Sequence, residues 1–398
     1  MSATEEYIEQ RKKQAGQLSE KFLEMQKYPI ENDKIVFSAF EGDGGFCCNP
    51  RYIAEALHRK RPDCRMIWLT KDVTRAFPDY IEALEYTEEN IAYHLSTARV
   101  WVDNYRKPFG TLKRDGQLYI QTWHASLGFK AVGLFRGAAF PEIARLVSEW
   151  DSNLIDYMIS NSDYCDRIYP KKILYNGPTI RSGSPRVDCL INDKKKLHHD
   201  IRMKYNLTEN TKLLLYAPTF RGGNQRGRKC VVAPMPSVDF DRLISALNAK
   251  TGDNWKVVLK LHPQLAAIMD EMPLPQNDNR LIDVSKEPDI SFVMGGCDAV
   301  LTDYSSCAFD AAFAGIPVFL YADDVESYIE NRGRFMWKED ELPFPMAQSN
   351  DELEDCIMKF DITLYRSKCN EFMALHGVNE TGNASGFVAD FIIEKGGL

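Results

Sequence analysis

The feature that most constrains the fold is a repeated alternation of short apolar segments, turns and amphipathic segments along the chain. In the first half, apolar segments that predict strands alternate with a Gly-rich turn and with a predicted helix over residues 50–58. The predicted strands of this half are residues 34–40, 65–69, 98–102 and 118–121. Strands that alternate with helices are typical of a doubly wound parallel sheet, so we predict an α/β fold.

A second series of the same kind begins after residue 180. Its predicted strands are residues 212–216, 255–260, 280–283, 299–302 and 317–321, and its predicted helices are residues 240–250, 290–295 and 306–314. Two successive Rossmann-like halves of comparable length predict a GT-B-like arrangement, in which two domains face a central cleft. In such folds, ligands bind beyond the carboxyl ends of the strands.

The length of 398 residues also favours two domains over one. We expect an N-terminal amphipathic helix over residues 1–33, an N-terminal Rossmann-like domain over 34–180 and a C-terminal one over 181–375. A C-terminal helix over 376–398 can cross back to the N-terminal domain. The apolar face of the first helix favours packing against the protein body over membrane binding. That face consists of Ile8, Ala15, Leu18, Phe22 and Met25.

Composition excludes several classes of function. The net charge of −8 argues against a general nucleic-acid binder. The ten cysteines lack metal-type spacing, which favours a reducing cytosol, and neither a signal stretch nor a run of roughly 20 apolar residues is present. We therefore expect a cytoplasmic protein without a metal or cofactor. Two basic clusters are either solvated faces or contacts for anionic phosphates: Lys194, Lys195 and Lys196, and Arg221, Arg226, Arg228 and Lys229.

Four polar segments follow predicted strands, where this fold class carries its chemistry. They are Gln121-Thr122-Trp123-His124, Tyr216-Ala217-Pro218-Thr219-Phe220-Arg221, Lys260-Leu261-His262-Pro263 and Thr302-Asp303-Tyr304-Ser305-Ser306. In the last segment, Ser305 and Ser306 open a predicted helix, whose N-terminus favours a phosphate. An ordinary serine N-cap is the alternative interpretation.

Two histidines lie in these segments, one in each predicted domain. His262 precedes Pro263 and can donate a hydrogen bond to a phosphate oxygen. His124 ends a strand of the other domain and suits a general base. Either histidine alone could be structural, but their positions on opposite sides of the predicted cleft support a catalytic role for both.

Two further patterns are ambiguous. The segment Glu41-Gly42-Asp43-Gly44-Gly45 could cradle a phosphate, but a tight turn with positive φ explains it equally well. The pair Asp323 and Asp324 could bind a metal, yet adjacent aspartates are common in turns. We do not predict a metal site.

The four segments resemble the CDP-glycerol glycerophosphotransferase family of teichoic acid and capsule synthesis, and the similarity covers roughly residues 35–392. Further matching segments, in the same order, are Gly183-Ser184-Pro185-Arg186-Val187-Asp188, Asp310, Arg332-Gly333, Glu341-Leu342-Pro343 and Gly382-Asn383-Ala384-Ser385. The resemblance implies a GT-B-like fold and the transfer of a polyol phosphate instead of a sugar. An acceptor hydroxyl would attack the β-phosphorus of CDP-glycerol and release CMP.

The resemblance also implies roles for individual residues. His124 would be the base and His262 a ligand of the donor phosphate. Donor-binding residues would be Thr219, Arg221, Pro263, Thr302, Asp303, Ser305, Ser306 and Asp310, and acceptor-side residues would be Gly44, Gly45, Asn49, Trp123 and Ser126. The family usually has Gly-Thr-Pro where this chain has Ala125, Ser126 and Leu127, a departure on the acceptor side.

The implied acceptor is a glycan or a polyprenyl-linked chain, reached by peripheral attachment to the cytoplasmic membrane face. Three alternatives remain: a CDP-ribitol donor, a GT-B glycosyltransferase that uses a nucleotide sugar, and a nucleotide-binding subunit without catalytic activity. The two histidines argue against the last of these.

Overall fold

The computed structural model describes residues 2–219, 237–261, 278–332 and 334–398. The chain forms two compact units. The first comprises Met1–Ser126, Ala131–Asp188 and Gly377–Leu398, and the second comprises Leu127–Lys130 and Cys189–His376. The division therefore falls at 188/189, eight residues beyond the expected boundary, and the C-terminal segment belongs to the first unit.

The first unit is built on a seven-stranded parallel sheet. Its strands are β1 (Glu31–Ser38), β2 (Arg65–Thr70), β3 (Ile81–Glu85), β4 (Ala98–Asp103), β5 (Leu118–Gln121), β6 (Tyr157–Ser160) and β7 (Thr179–Arg181). The sheet order is β3-β2-β1-β4-β5-β6-β7. This is the doubly wound order, and its direction reverses between β1 and β4.

Helices flank this sheet. They are α1 (Ala3–Met25), α2 (Cys48–Lys60), α3 (Glu88–Thr97), α4 (Glu142–Leu154), α5 (Asp163–Lys172) and α14 (Ala384–Gly396), with a 3₁₀ turn over Gly133–Ala139. Another helix, α6 (Pro185–Asn192), contains the division between the units. Ser2 and Glu5 form a capping box that begins α1, and Ala15, Leu18 and Phe22 of this helix are buried.

The core of the first unit lies around the central strands. Ile35 and Phe37 of β1 are fully buried, and the Phe37 ring stacks on Trp68 of β2 with centroids 5.7 Å apart. Strands buried on both faces require continuous apolar sequence, and β1 ends in such a run. The C-terminal helix α14 packs on α2 and contributes Val388 and Ile392 to the same core.

The second unit repeats the arrangement with a six-stranded parallel sheet. Its strands are β8 (Lys212–Tyr216), β9 (Trp255–Leu259), β10 (Leu281–Asp283), β11 (Ala299–Thr302), β12 (Val318–Tyr321) and β13 (Met346–Ala347), in the order β10-β9-β8-β11-β12-β13. Its described helices are α7 (Lys194–Lys204), α8 (Phe240–Thr251), α9 (Ile290–Gly295), α10 (Cys307–Phe313), α11 (Val325–Arg332), α12 (Asn350–Lys359) and α13 (Ile362–Leu375). The order reverses between β8 and β11, as in the first unit.

The prediction of an α/β fold with two Rossmann-like sheets is confirmed. Within the described ranges, no helix combines the length and the apolar composition needed to cross a bilayer.

Candidate functional site

Loops at the carboxyl edge of the first sheet bring together the acceptor-side residues predicted from sequence. His124 lies just beyond β5, Asn104 directly follows β4, and Phe40 follows β1. The ring of His124 packs on Trp123 (centroids 4.6 Å apart), Phe40 (5.4 Å) and Tyr105 (5.6 Å). The histidine is therefore held in an aromatic setting where the strand order reverses, which is where doubly wound sheets bind ligands.

One hydrogen bond fixes the tautomer of His124. Its Nδ1 lies 2.9 Å from the carbonyl oxygen of Asn104. A carbonyl can only accept, so Nδ1 carries the proton and Nε2 keeps a lone pair. Burial lowers the pKa of His124 to about 3. The imidazole is consequently neutral near pH 7, and the lone pair of Nε2 is unprotonated.

The backbone that precedes His124 is strained and specifically supported. Trp123 adopts a left-handed conformation with φ +49°, which is unfavourable for a bulky side chain. Its N–H donates to Oε1 of Gln121 at 2.8 Å, and its carbonyl accepts from Nδ2 of Asn49 at 3.0 Å. Asn49 also donates to Thr122, and both Asn49 and Trp123 are buried. These two predicted acceptor-side residues thus shape the backbone around His124.

Two cations hold the segment after Trp123. Arg186 donates to the carbonyl of His124, and its own N–H donates to Oδ1 of Asn49 at 3.1 Å. Lys172 donates through Nζ to the carbonyls of Ala125 (2.8 Å) and Ser126 (2.9 Å). Burial lowers the pKa of Lys172 to about 8. The hydroxyl of Ser126 is buried and makes no hydrogen bond to any residue that the structure describes.

The sequence did not assign roles to Arg186 or Lys172. Arg186 lies within a segment that carried the family resemblance, which was a usable signal. Lys172 ends a helix far from His124 in sequence, and nothing in its local pattern distinguishes it from a surface lysine. Asn104 and Arg106 follow the predicted strand 98–102, just as His124 follows the predicted strand 118–121. The rule that polar residues after a strand carry the chemistry could therefore have selected them as well.

The Gly-rich turn after β1 shapes the same region through close packing. Phe40 and Glu41 both have left-handed φ values, +51° and +53°. A Cβ on Gly44 would lie 2.7 Å from the Phe40 ring, and Gly45 has φ +70° and packs on Arg75. The two glycines therefore allow Phe40 to reach His124, which agrees with the tight-turn interpretation of this segment.

A buried polar network lies beneath these loops. Lys107 forms an ion pair with Asp103 at 2.7 Å, and the Lys107 N–H donates to Asp151 at 2.9 Å. The Tyr119 hydroxyl donates to Asp151 and accepts from Gln121, which links this network to the strained Trp123. Burial raises the pKa of Asp151 to about 7.

In the second unit, the predicted donor residues gather at the carboxyl ends of β8 and β11. Thr302 and Asp303 are buried, and the structure uses their polar groups internally. The Thr302 hydroxyl donates to the Ala217 carbonyl at 2.6 Å, and Asp303 accepts from the Thr219 N–H at 2.9 Å. These contacts give the two side chains a positioning role between the strand ends.

The two serines are more accessible than their neighbours. Ser305 and Ser306 are half-buried, and the Ser306 side chain makes no capping hydrogen bond to α10. Asp310 is buried in the first turn of that helix. Since α10 has only seven residues, the accessible hydroxyls are a better basis for ligand binding than the helix dipole is.

Three predicted site residues, Arg221, His262 and Pro263, lie outside the described residues. A cavity of about 270 Å³ adjoins Tyr304 in the second unit and is lined by side chains such as Phe129, Phe335, Trp337 and Leu342. Across the described ranges, no cluster of His, Cys, Asp or Glu has the makeup of a metal site.

Two of the segments that carried the resemblance pair with each other. The Asp188 carboxylate accepts from the N–H groups of Ala384 (2.9 Å) and Ser385 (2.7 Å) and from the Ser385 hydroxyl (2.6 Å). Glu380 accepts from the Ser184 N–H at 2.9 Å. These contacts fix the start of α14 in the first unit, so both segments support the fold.

A sequence model of the family described as CDP-Glycerol:Poly(glycerophosphate) glycerophosphotransferase matches residues 21–394. A teichoic acid poly(glycerol phosphate) polymerase of Staphylococcus epidermidis is 28% identical over 375 residues, covering 91% of this chain and 51% of that protein. The protein of the same name from Bacillus subtilis is 28% identical over 360 residues, covering 87% and 46%. The chain thus spans about half the length of these curated relatives.

A solved structure is also similar. It is that of the wall teichoic acid polymerase TagF, as a histidine-to-asparagine variant soaked with CDPG. The two chains are 26% identical, the TM-score is 0.79, and the similarity covers 92% of this chain and 90% of the other.

Proposed function

The chain belongs to the CDP-glycerol:poly(glycerophosphate) glycerophosphotransferase family, and on this premise we propose that it transfers glycerol phosphate from CDP-glycerol to an acceptor hydroxyl. The acceptor is a teichoic-acid-like or capsular polymer, and CMP is released. The single observation that supports this chemistry best is the His124 tautomer. Its Nδ1 is committed to the Asn104 carbonyl, so Nε2 keeps the lone pair that a general base uses.

In the proposed reaction, Nε2 of His124 takes the proton of the acceptor hydroxyl as the oxygen attacks the β-phosphorus. A new P–O bond forms to the acceptor, and the bond between that phosphorus and the oxygen of CMP breaks. The proton remains on His124 until solvent removes it, and the leaving CMP carries the bridging oxygen as part of its phosphate. Phosphoryl transfer depends mainly on positioning and charge stabilisation, and the fixed imidazole supplies the positioning on the acceptor side.

For the donor, we propose that Ser305 and Ser306 bind the diphosphate through their hydroxyls, with Thr219 nearby. Thr302 and Asp303 hold the two strand ends in place through their internal hydrogen bonds. From the family resemblance, we keep His262 as a further phosphate ligand, with Arg221, Pro263 and Asp310 also on the donor side. These assignments are independent of the His124 assignment and can be tested separately.

We further propose that the acceptor is a glycan or a polyprenyl-linked chain and that the protein attaches peripherally to an anionic membrane surface. Lys194, Lys195 and Lys196 are exposed at the start of α7, which supports charge-assisted attachment. The other basic cluster predicted from sequence (Arg226, Arg228 and Lys229) lies outside the described residues.

A donor panel tests the proposed function. The purified chain is incubated with a glycerol-phosphate-primed acceptor and with CDP-glycerol, CDP-ribitol or a UDP-sugar, while nucleotide release is measured and the product is followed by ³¹P NMR. We expect CMP release from CDP-glycerol, accompanied by a new phosphodiester signal. Preferred turnover of CDP-ribitol would reassign the donor, and turnover of the UDP-sugar alone would contradict the proposal.

A further inference from the structure

The crevice where the first sheet reverses its strand order carries unsatisfied hydrogen-bond donors that the proposed mechanism does not use. This crevice is flanked by the loops after β1 and β4, which contain Phe40 and Glu41 and the segment from Asn104 to Arg106. In doubly wound sheets, the crevice at the carboxyl edge beside the reversal point is the usual ligand site. Both loops contact His124 directly.

Arg106 is the most unusual group in this crevice. Its side chain is half-buried and its Nε is fully buried, yet the guanidinium makes no hydrogen bond or ion pair with any residue in the described part of the chain. Its charge centre lies 4.9 Å from the centre of the Trp123 ring. A partly desolvated cation whose buried Nε donor has no partner is destabilising unless an anion joins it.

Arg202 offers a comparison, because it is a buried arginine whose hydrogen bonds are all made within the protein. Arg202 in the second unit is fully buried, and its guanidinium donates to the carbonyls of Thr211 and Gly296 and to the Asp298 carboxylate. Arg106 has no comparable set of carbonyl and carboxylate acceptors among the described residues. Burial lowers the pKa of Arg106 below its usual value, as expected for a cation that lacks compensation.

Two carboxylates act on Arg106 electrostatically without pairing with it. Asp151 accepts from the Lys107 N–H and the Tyr119 hydroxyl instead. Glu41 lies on the loop after β1 and forms no ion pair with any described residue, and burial raises its pKa. Neither carboxylate therefore neutralises the guanidinium by direct contact.

Asn104 supplies a second donor next to Arg106. The residue is completely buried, and its Oδ1 accepts from the Phe40 N–H at 2.8 Å. Its Nδ2 is buried and has no hydrogen-bond partner. A buried amide that loses its hydrogen bonds to water without replacement costs free energy, so an unpaired one is a marker for a ligand or a bound water. The backbone carbonyl of the same residue orients His124, the proposed base.

We propose that Arg106 and Asn104 form a phosphate-binding subsite beside His124, which receives the oxyanion of a phosphate group from the acceptor chain or from the donor. This inference deepens the proposed function and rests on it. A phosphate of the acceptor polymer held there would present the adjoining terminal hydroxyl to Nε2 of His124. Arginine suits this role because its planar fork of N–H groups matches phosphate oxygens.

Calorimetric titration tests the subsite without requiring turnover. The probes are a two-unit glycerol phosphate oligomer, CDP-glycerol and an uncharged glycerol glycoside. We expect Arg106→Met to weaken binding of the oligomer by about ten- to a hundredfold, the usual effect of losing a hydrogen bond to a charged group, and to leave the uncharged probe unaffected. Asn104→Asp, which keeps an oxygen for the Phe40 N–H but removes the donor, should act in the same direction.

Arg145→Met is the matched control, because it removes one positive charge from an exposed ion pair with Glu142 and Glu149 in the same unit. It should leave all three affinities unchanged. If CDP-glycerol binding is weakened instead of oligomer binding, the subsite holds the donor phosphate, and the proposal stands with that source. If Arg106→Met and Asn104→Asp bind both phosphate probes as tightly as the wild type does, the subsite does not exist.

Thermal unfolding distinguishes ligand binding from a structural role. Since Arg106 is an unpaired and partly desolvated charge, we expect Arg106→Met to unfold at the same temperature as the wild type or at a higher one. A lower unfolding temperature combined with unchanged phosphate affinity would overturn the proposal. If the wild type binds the oligomer through Arg106 but releases no CMP from CDP-glycerol, the proposed function fails while the phosphate subsite stands.

Discussion

At the residue scale, the state of His124 decides what the site can do. Burial lowers its pKa from about 6.5 in the unfolded chain to about 3 in the folded protein. We therefore expect its ring signals to remain constant between pH 5 and 8 in an NMR titration, with the assignment made from the spectrum of His124→Gln. A midpoint near 6.5 would mean that the ring is solvated and that the described environment is wrong.

The same shift has a consequence for stability. The unfolded state binds a proton at His124 as the pH falls below about 6.5, whereas the folded state does so only near pH 3. The free energy of unfolding should therefore decrease on acidification through this window. His124→Gln cannot take up that proton, so urea unfolding at several pH values should give a weaker pH dependence for the variant. Identical slopes would contradict the burial of a neutral ring.

Asn49 should act on catalysis through the backbone that it holds. Asn49→Asp keeps the acceptor for the Arg186 N–H but loses the donor to the carbonyls of Thr122 and Trp123. We expect kcat to fall by about ten- to a hundredfold, because a small displacement of a catalytic group is costly, with the Kd for CDP-glycerol unchanged. Asn90→Asp, at the start of α3 in the same unit, is the matched control and should retain full kcat. Equal rates for the two variants would remove Asn49 from a positioning role.

At the element scale, the attachment of α14 depends on one buried carboxylate. Asp188 caps this helix through three hydrogen bonds, and burial raises its pKa even though those bonds lower it. Asp188→Ala should destabilise the first unit by about 1–3 kcal/mol in urea unfolding, the usual cost of leaving buried donors unpaired. Asp390→Ala removes an exposed ion pair with Lys60 from the same helix and should cost less than about 1 kcal/mol. Similar losses for both variants would contradict the capping role.

The strands differ in how well sequence predicts them, and the reason is burial. The strands at the centre of each sheet are continuous apolar runs because helices cover both faces, and they were predicted within a few residues. Three of the four edge strands, β3, β7 and β13, are short or half-exposed, and their sequences carry no such run. The fourth edge strand, β10, was predicted over residues 280–283, whereas the short inner strand β6 was not predicted. Helix α10 begins at Cys307, close to the predicted start at 306.

Local sequence predicts which loops carry chemistry better than it predicts what each side chain does. The rule that polar segments follow strands selected His124 and the segment from Thr302 to Ser306. It could not separate Ser305, which is accessible, from Thr302, whose hydroxyl is used internally, because that difference depends on contacts with β8. The roles of Arg186 and Lys172 depend on contacts between residues distant in the chain, which no local pattern contains.

At the scale of the whole molecule, attachment to membranes depends on local charge, since the net charge of −8 opposes it. Each lysine near an anionic surface contributes about 1 kcal/mol, so Lys194→Glu combined with Lys195→Glu should lower co-sedimentation with anionic liposomes at low salt. Lys359→Glu combined with Lys368→Glu makes the same charge change on α12 and α13 and should have little effect. If the wild type remains in the supernatant at low salt, a soluble acceptor becomes the better proposal.

The central claim is that His124 is the base of a glycerol phosphate transfer, and CMP release tests it most directly. The measurement compares the wild type, His124→Gln and His58→Gln with CDP-glycerol and a primed acceptor, and determines the Kd for CDP-glycerol in parallel. His58 is a half-buried histidine in the last turn of α2 that stacks on Tyr80, and it serves as the matched control. We predict that His124→Gln lowers kcat by about a hundred- to ten-thousandfold with an unchanged Kd, whereas His58→Gln retains the wild-type rate. A His124→Gln variant that keeps more than about a tenth of the wild-type kcat would contradict the account.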